Sequence, residues 1–367
     1  MEQGEGVSRV VELGSGSPFD VVVNALSLQP DGAGVSTYIR ELMWELPGVV
    51  FGRVGAIIDS RLNASVPPGM GVLHRASSGG LRRTIQSLRG PGSSTSIFHG
   101  LDLDIPMRSK SGTVTTIHDL AVFDVPWAFT RRKVTGEQLL VRHSVKHADE
   151  IIAVSQFTAE RIKTLFGRDS TVIPEAAGRD YSIPSAEEIE RVRNTYHLPR
   201  KFVLHVGTIE PRKQVHQLAA ACHQLAVPLI AAGGSGWRVS TPSNMRLLGF
   251  IPQLDLVALY GAASVVAYVS TYEGFGLPPL EALAAGCAVI STPVPSLELV
   301  DAGVRVAPGH HDQLVRALYD LLNDLERRRE VARAGHRAVK TLTWSATADA
   351  TARVYDRLEP GVYRCAL

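Results

Sequence analysis

The sequence predicts an α/β protein of two Rossmann-like, doubly wound parallel-sheet domains, and three observations carry that expectation. Short apolar, β-branched runs alternate with amphipathic stretches along almost the whole chain. The runs are apolar throughout, as in strands buried on both faces, and their alternation with helical stretches implies parallel sheets. The pattern also stops and restarts. A polar stretch from Ser182 to Arg200, holding two prolines and a charged helix, divides it into two series.

In the first series, strands are expected near 19–26, 53–59, 95–99, 113–118, 149–154 and 170–174. Helices are expected near 34–46, 81–89, 130–147 and 156–166. The second series places strands near 201–207, 228–233, 245–250, 264–270, 287–291 and 303–307. Its helices fall near 212–225, 253–262, 279–285 and 311–323, with one last helix over 325–356. The organisation that follows is a disordered tail over 1–18, a domain over 19–197, a second over 198–345, and a C-terminal helix and tail over 346–367 that packs back on the first domain.

A chain of 367 residues has room for two cores. Hydrophobic content of 45% and charged content of 20% are those of a soluble globular protein. The net charge of +2 gives no ground for nucleic acid as the main partner. Cys222, Cys287 and Cys365 are far apart and form no CxxC or Cys/His cluster, which favours a reduced cytoplasmic chain without structural zinc. The Gly/Ser-rich N-terminus has no apolar centre, so neither signal nor anchor is expected there. No apolar run approaches the roughly 18 residues that cross a bilayer.

In open α/β sheets ligands collect beyond the carboxyl ends of the strands, so the post-strand loops are where chemistry is sought. After 264-SVVAYVS-270 comes TYEGFGLPPLEALAAG, with Glu273 and Glu281 eight residues apart. A helix start at Pro278 or Pro279 suits proline, puts Glu281 in the first turn and lets Leu280, Leu283 and Ala284 face a core. Unpaired N–H groups at that start favour an anion such as phosphate, and Gly274 and Gly276 allow close approach or positive φ. The two carboxylates can then bracket one extended ligand. From the residues alone, a glutamate complementing the helix dipole beside an ordinary Gly-Pro loop explains them as well.

The stretch TYEGFGLPPLEALAAGCAVI resembles the Glu-x7-Glu signature of retaining glycosyltransferases of the GT-B fold, glycosyltransferase family 4 (glycosyl transferases group 1). The resemblance implies two Rossmann-like domains facing a cleft, the first for acceptor and the second for a nucleotide-sugar donor. It implies that Glu273 meets the donor sugar, that the backbone of Gly274, Phe275, Gly276 and Leu277 contacts sugar and diphosphate, and that Glu281 binds the ribose hydroxyls. The segment 207-GTIEPRKQ-214 is similar to the family's post-strand segment whose cations grip the diphosphate, here Arg212 and Lys213, beside Gly207 and Thr208. Without that resemblance, two cations opening a helix are poorly placed for its dipole and read as solvated charges. With it, they stabilise charge growing on the leaving phosphate.

Other segments follow the family's order. The loop 231-AAGGSGW-237, with Gly233, either admits phosphate or makes a tight turn. Near Phe250 and Ile251 the family's backbone holds the nucleotide base. Gly32 and Gly34 in 31-DGAGVSTYIREL-42 resemble the Gly-rich loop that reaches the diphosphate; a dinucleotide fingerprint would need a third glycine where Thr37 stands. His118 in 114-VTTIHDLAVF-123 looks like the family's Ile-His-Asp-Leu element, which sets histidine against the donor sugar from the opposite domain, with Asp119 positioning the loop or meeting an acceptor hydroxyl. His99 is a weaker acceptor-side candidate, and Ser155 matches a helix start for which an N-cap role suffices. One departure is the short stretch 292–309, where Glu298 takes the place of the usual glutamate.

The implied reaction moves a hexose from a nucleotide diphosphate sugar to a hydroxyl with retention, by front-face departure and attack, and with no metal or other cofactor. A glycosidase would need two carboxyls about 5 Å apart across the bond, for which Glu281 is badly placed. Asp102 and Asp104 have DxD spacing but lie in the first half. Two other classes stay in view: a sugar-nucleotide epimerase of the same fold, and a non-catalytic nucleotide-sugar-binding protein. The acceptor, whether saccharide, lipid-linked or small molecule, is not legible. The VGTIEPRK form resembles mannosyl- and rhamnosyl-type transferases of polysaccharide assembly. The basic stretches 82–89 and 131–147 offer peripheral contact with an anionic membrane at its inner face, although a solvated helix face accounts for them more simply.

Overall fold

The computed structural model describes residues 19–29, 32, 34–62, 66–76, 85–86, 88–91, 95–236 and 239–364. The expected 1–18 tail and most of the expected 81–89 helix lie outside these residues. The first sheet has the strands β1 (Val21–Asn24), β2 (Val54–Asp59), β3 (Met70–Arg75), β4 (Ile97–Gly100), β5 (Gly112–Ile117), β6 (Glu150–Ala153) and β7 (Thr171–Val172), in the order β3-β2-β1-β4-β5-β6-β7. The second has β8 (Val203–Val206), β9 (Leu229–Ala232), β10 (Met245–Leu247), β11 (Val265–Tyr268), β12 (Val289–Ser291) and β13 (Val304–Arg305), in the order β10-β9-β8-β11-β12-β13. The pairings of β1 with β2 and β4, and of β8 with β9 and β11, are parallel. Both sheets are therefore doubly wound. Their order reverses between β1 and β4 and again between β8 and β11, the switch points where such sheets take ligands.

The helices are α1 (Val35–Val49), α2 (Ala121–Asp124), α3 (Arg131–His147), α4 (Gln156–Phe166), α5 (Ala186–Thr195), α6 (Val215–Gln224), α7 (Gln253–Ala262), α8 (Leu277–Ala284), α9 (Pro295–Val300), α10 (His311–Asn323), α11 (Leu325–Val339) and α12 (Trp344–Leu358). Local signals explain several of their ends. Ser155 caps α4, and Ser185 with Glu188 forms a capping box on α5. β3, α2 and α9 were not expected. Among the described residues, β3 is a half-buried edge strand (MGVLHR) whose apolar signal is broken by His74 and Arg75.

The chain divides into two compact units. One takes the described residues up to Ile117 together with Arg142–Ile152 and the chain from Ala348 onward; the other takes His118–Val141 and Ala153–Thr347. Within the first unit, α12 is tied to the sheet by Tyr355, whose hydroxyl lies 2.7 Å from His99 Nδ1, both side chains being fully buried. In the second unit the core fills both faces of the sheet, with Phe202, Leu204 and Leu280 in one cluster and Val203, Leu218 and Ile290 in another. Each such side chain contributes about 1.5–3 kcal/mol by leaving water.

Two helices differ in kind from the sequence expectation. The single helix over 325–356 is two helices, because Thr343 starts the second with its own cap, accepting from Ala346 N at 3.1 Å. Arg212 and Lys213 do not open α6. They close a 3-10 turn over Pro211–Lys213, and Gln214, at φ 45, separates that turn from the helix.

Replacing Tyr355 with Phe strands a buried His99 nitrogen. The expected loss is about 1–3 kcal/mol, read as a lower urea midpoint without loss of secondary structure.

Candidate active site at the second switch point

The strands β8 and β11 flank the switch point of the second sheet, and the loops that follow them carry the cluster. After β8 the chain runs Gly207, Thr208, Ile209, Glu210 and into the Pro211–Lys213 turn. After β11 it runs from Val269 to Gly276 before α8. The Arg212 carbonyl sews the two loops together, accepting from Thr271 N at 2.8 Å and from the Ser270 and Thr271 hydroxyls at 3.2 Å each.

Glu273 is the hub. Its Oε1 accepts from Lys213 Nζ at 2.7 Å and Tyr268 Oη at 2.9 Å, and its Oε2 lies 2.8 Å from Arg212 Nη1. Arg212 Nη1 also donates to the Tyr272 carbonyl at 2.8 Å, and Nε sits 2.7 Å from Glu210 Oε1. Lys213 Nζ donates to the Tyr268 hydroxyl as well and lies 4.2 Å from that ring's centroid. The side chains of Glu273, Lys213 and Arg212 are only 9%, 7% and 14% exposed. Burial alone would raise the Glu273 carboxyl, but Lys213 and Arg212 outweigh it and hold it at about 2. Burial lowers Lys213, with Glu273 opposing, while the carboxylates raise Arg212 despite its own burial.

His205, on β8 beside this cluster, was not singled out in the sequence. Burial and the charge of Lys213 push it down to about 4. Its ring stacks on Tyr268 with centroids 6.1 Å apart, its Nδ1 is 3.4 Å from the Ala267 carbonyl, and its Nε2 is buried with no hydrogen-bond partner. Glu210, Tyr260, Tyr268, Tyr272 and Glu175 were missed too. The signal that could have found His205 and Tyr268 is a polar-tipped side chain inside an otherwise apolar strand.

Glycine matters at two points here. Gly276 has φ 96 and ends the loop, so α8 begins at Leu277 with Pro278 and Pro279 in its first turn. Glu281 therefore stands just past the first turn, whereas a start at Pro278 or Pro279 would put it inside that turn. It is 6% exposed and accepts from Tyr260 Oη at 2.9 Å. At Gly274 a Cβ would stand 1.8 Å from the His118 carbonyl oxygen. The backbone of His118 thus lies directly on the glutamate loop. Ser155 Oγ, besides capping α4, donates to the Gly274 carbonyl at 2.6 Å, and Leu120 N donates to Tyr272 Oη at 3.2 Å.

The second unit therefore brings together His118, Asp119, Gly207, Arg212, Lys213, Glu273, Gly274, Phe275 and Gly276. Asp119 accepts from Ala121 N at 3.0 Å and its charge is felt by Arg212. His118 belongs to this unit, with Nδ1 3.1 Å from Glu175 Oε1. The 231–236 loop packs on the Gly207 loop: Gly207 N donates to Ala232 O at 2.9 Å, and Ile209 N to Gly234 O at 3.0 Å. Gly233 N in turn donates to the Gly249 carbonyl at 2.8 Å, which sets exposed Phe250 and buried Ile251 beside that loop. Gly32, Gly34 and His99 belong to the first unit. Gly34 caps α1 at φ 61, and the Gly32 carbonyl accepts from Arg40 at 3.2 Å. His99 is fully buried with both ring nitrogens engaged, Nδ1 by Tyr355 and Nε2 by Thr116 at 2.9 Å, so its place is in the core. Asp102 and Asp104 share the Ser27 hydroxyl at 2.9 and 3.5 Å.

Two parallel Rossmann-like sheets with a cationic post-strand loop at a switch point define a doubly wound α/β protein with a candidate ligand site. Comparison with known proteins narrows it. The family described as glycosyl transferases group 1 matches residues 187–338. The chain is 33% identical over 285 residues to O-antigen chain mannosyltransferase B of Escherichia coli, across 71% of this chain and 74% of that protein. It is 28% identical over 242 residues to the serotype-specific mannosyltransferase WbdA of Escherichia coli, of whose length the match spans 29%. Among solved structures, sucrose-phosphate synthase from Thermosynechococcus elongatus aligns over 92% of this chain and 98% of its own, with a TM-score of 0.76 at 21% identity. Anabaena HepE in complex with UDP-glucose aligns over 92% and 100%, with a TM-score of 0.73 at 18% identity. The chain belongs to the glycosyl transferases group 1 family and is a glycosyltransferase of the GT-B fold. Among the described residues no helix is long and apolar enough to cross a membrane.

Glu273→Gln leaves two buried cations without their shared counter-charge, an expected loss of about 3–5 kcal/mol at pH 7 by denaturant titration. The folded-state value of Glu273 is below the ordinary 4.5. Its ionisation therefore stabilises the fold above about 4.5, and that contribution is lost as pH falls through about 2. The Gln variant should show a shallower loss of stability across that window. Gly274→Ala, which sets a methyl against a backbone carbonyl, should lower both the melting temperature and turnover.

Proposed function

We propose that this glycosyltransferase moves a hexose, mannose or a close relative, from a nucleotide diphosphate sugar to a hydroxyl acceptor with retention of configuration, in the assembly of a polysaccharide or related glycan. The observation that carries this reading is the buried cluster of Arg212, Lys213 and Glu273 at the second switch point. In this reading its two cations hold the diphosphate, and charge that grows on the leaving phosphate is stabilised by donors already fixed in a water-poor site. Arg212 offers a planar fork for two oxygens and Lys213 a point charge. The leaving phosphate, so held, takes the acceptor proton as the hydroxyl attacks from the same face. In this reading Glu273 and the Gly274–Leu277 backbone meet the sugar, Glu281 the ribose, and His118 a sugar hydroxyl. The charge on the phosphate is met by side chains, and turnover is expected to be independent of added metal.

Support for the sugar comes from two relatives named as mannosyltransferases, one an O-antigen chain enzyme. Support for the donor class comes from a solved structure of the same fold that holds UDP-glucose. A sugar-nucleotide epimerase would use the same donor site but alter the sugar without acceptor.

The test is incubation with radiolabelled nucleotide sugars, led by GDP-mannose, with and without an oligosaccharide or lipid-linked acceptor and with EDTA. Acceptor-dependent transfer, undiminished by EDTA, is expected. Epimerised sugar in the absence of acceptor, or no turnover with any donor that raises the melting temperature, would overturn the reading. Lys213→Ala should lower kcat about 10²–10³-fold, the usual effect of removing a group that stabilises transition-state charge.

A further inference from the structure

His118 is backed by a carboxylate that the sequence did not announce. Glu175 follows β7 in the segment 173-IPEAA-177 and is 4% exposed. That segment is pinned on both sides of the glutamate. Ile173 N donates to the Ala153 carbonyl at 2.9 Å. The Pro174 carbonyl accepts from Thr347 Oγ1 at 2.8 Å, and the Ala177 carbonyl accepts from Trp344 Nε1 at 3.1 Å. Both of these donors stand in the first turn of α12. Glu175 is thus a buried acid on a fixed main chain, and its Oε1 lies 3.1 Å from His118 Nδ1. The main chain of His118 is confined as well, since its carbonyl rests against Gly274 with no room for a Cβ between them.

We propose that Glu175 is the positioning residue for His118: it accepts the Nδ1 proton and so fixes the orientation and tautomer of a ring that the bound hexose meets. A carboxylate can only accept, so the nitrogen facing it carries the proton, and a neutral ring then has its lone pair on the other nitrogen. The same carboxylate–imidazole logic orients histidines in metal sites and in nucleophile–base–acid triads, where exchanging the acid for its amide leaves the geometry but gives the wrong tautomer. A buried carboxylate held in place solely for packing would be costly, because an apolar residue would fill the same space without desolvating a charge. The proposal rests on the reading that a nucleotide sugar occupies this site, but its first test does not.

That test is nitrogen-15 NMR of selectively histidine-labelled protein without substrate, with the His118 signal identified by its loss in His118→Phe. The wild type should show the Nδ1–H form. Glu175→Gln, whose amide N–H can face Nδ1, should shift His118 to the Nε2–H form, and Glu175→Asp should retain Nδ1–H. The kinetic arm expects Glu175→Gln to lose about 10- to 100-fold in kcat, as removal of an orienting partner does, with KM for the donor changed by less than about threefold. Glu175→Asp should recover part of that loss. An unchanged His118 tautomer in a folded Gln variant would overturn the proposal, as would wild-type kcat. If Glu175→Gln fails to fold, Glu175→Asp decides: a His118 in the Nε2–H form in either the wild type or that variant sinks it. Failure of the nucleotide-sugar reading would show as absent turnover in the wild type, with the tautomer result standing on its own.

Discussion

The structure of the site depends on one buried charge: the Glu273 carboxylate set between Lys213 and Arg212. Each of the three would be costly to bury alone, because taking an isolated ion out of water costs several kcal/mol. Together with Glu210 they make a set of two acids and two cations whose formal charges cancel. The balance explains why each pKa moves as it does. Glu273 falls to about 2 although burial pushes the other way. Lys213 drops because its desolvation is larger than what a carboxylate already shared with Arg212 returns. The set also fixes the backbone. Its members come from two loops on neighbouring strands, and no rotation of one loop leaves the other satisfied.

The sheet order determines where such a set can form. At the reversal between β8 and β11 the crossover helices leave toward opposite sides, so two post-strand loops stand side by side with no helix packed between them. Residues that are 60 positions apart, Lys213 and Glu273, become partners for that reason. Position in the topology, more than local propensity, makes the cluster.

Most of the architecture was legible because buried parallel strands and amphipathic helices leave strong periodic marks. The bounds of α4, α7 and α10 follow directly from the apolar spacing. What failed was read from features with no period. The edge strand β3 has a charged end, the break at Lys340–Thr343 carries no glycine or proline, and the Gln214 kink rests on a residue that seldom takes positive φ. At the site, Glu273, Arg212 and Lys213 were found through their motif, yet the motif could not show that they bind one another. Glu281 falls just outside the first turn and not inside it, since the Gly276 conformation that starts α8 at Leu277 leaves no trace in composition. His205 and Glu175 were invisible for a simpler reason: each is a single polar group whose partner lies far along the chain.

The mutual pairing of Glu273 with both cations has a consequence for the proposed reaction. A diphosphate brought to Arg212 and Lys213 would ask for the same donors that Glu273 now occupies. Adding two negative charges to a neutral buried set is unfavourable unless the carboxylate yields its place. The glutamate is well suited to yield, because it stands in a loop between Tyr272 and Gly274, whereas Arg212 is anchored through its carbonyl by three hydrogen bonds. On this reading the cations stay and the carboxylate turns toward the sugar, so that one anion replaces another and the site never holds unpaired charge. The cations are then already stripped of water when the phosphate arrives, which is the condition under which fixed charges favour a transition state over a ground state. In the proposed reaction the resting ion cluster is then the preorganised form of the leaving-group site, and Glu273 stands in for the phosphate.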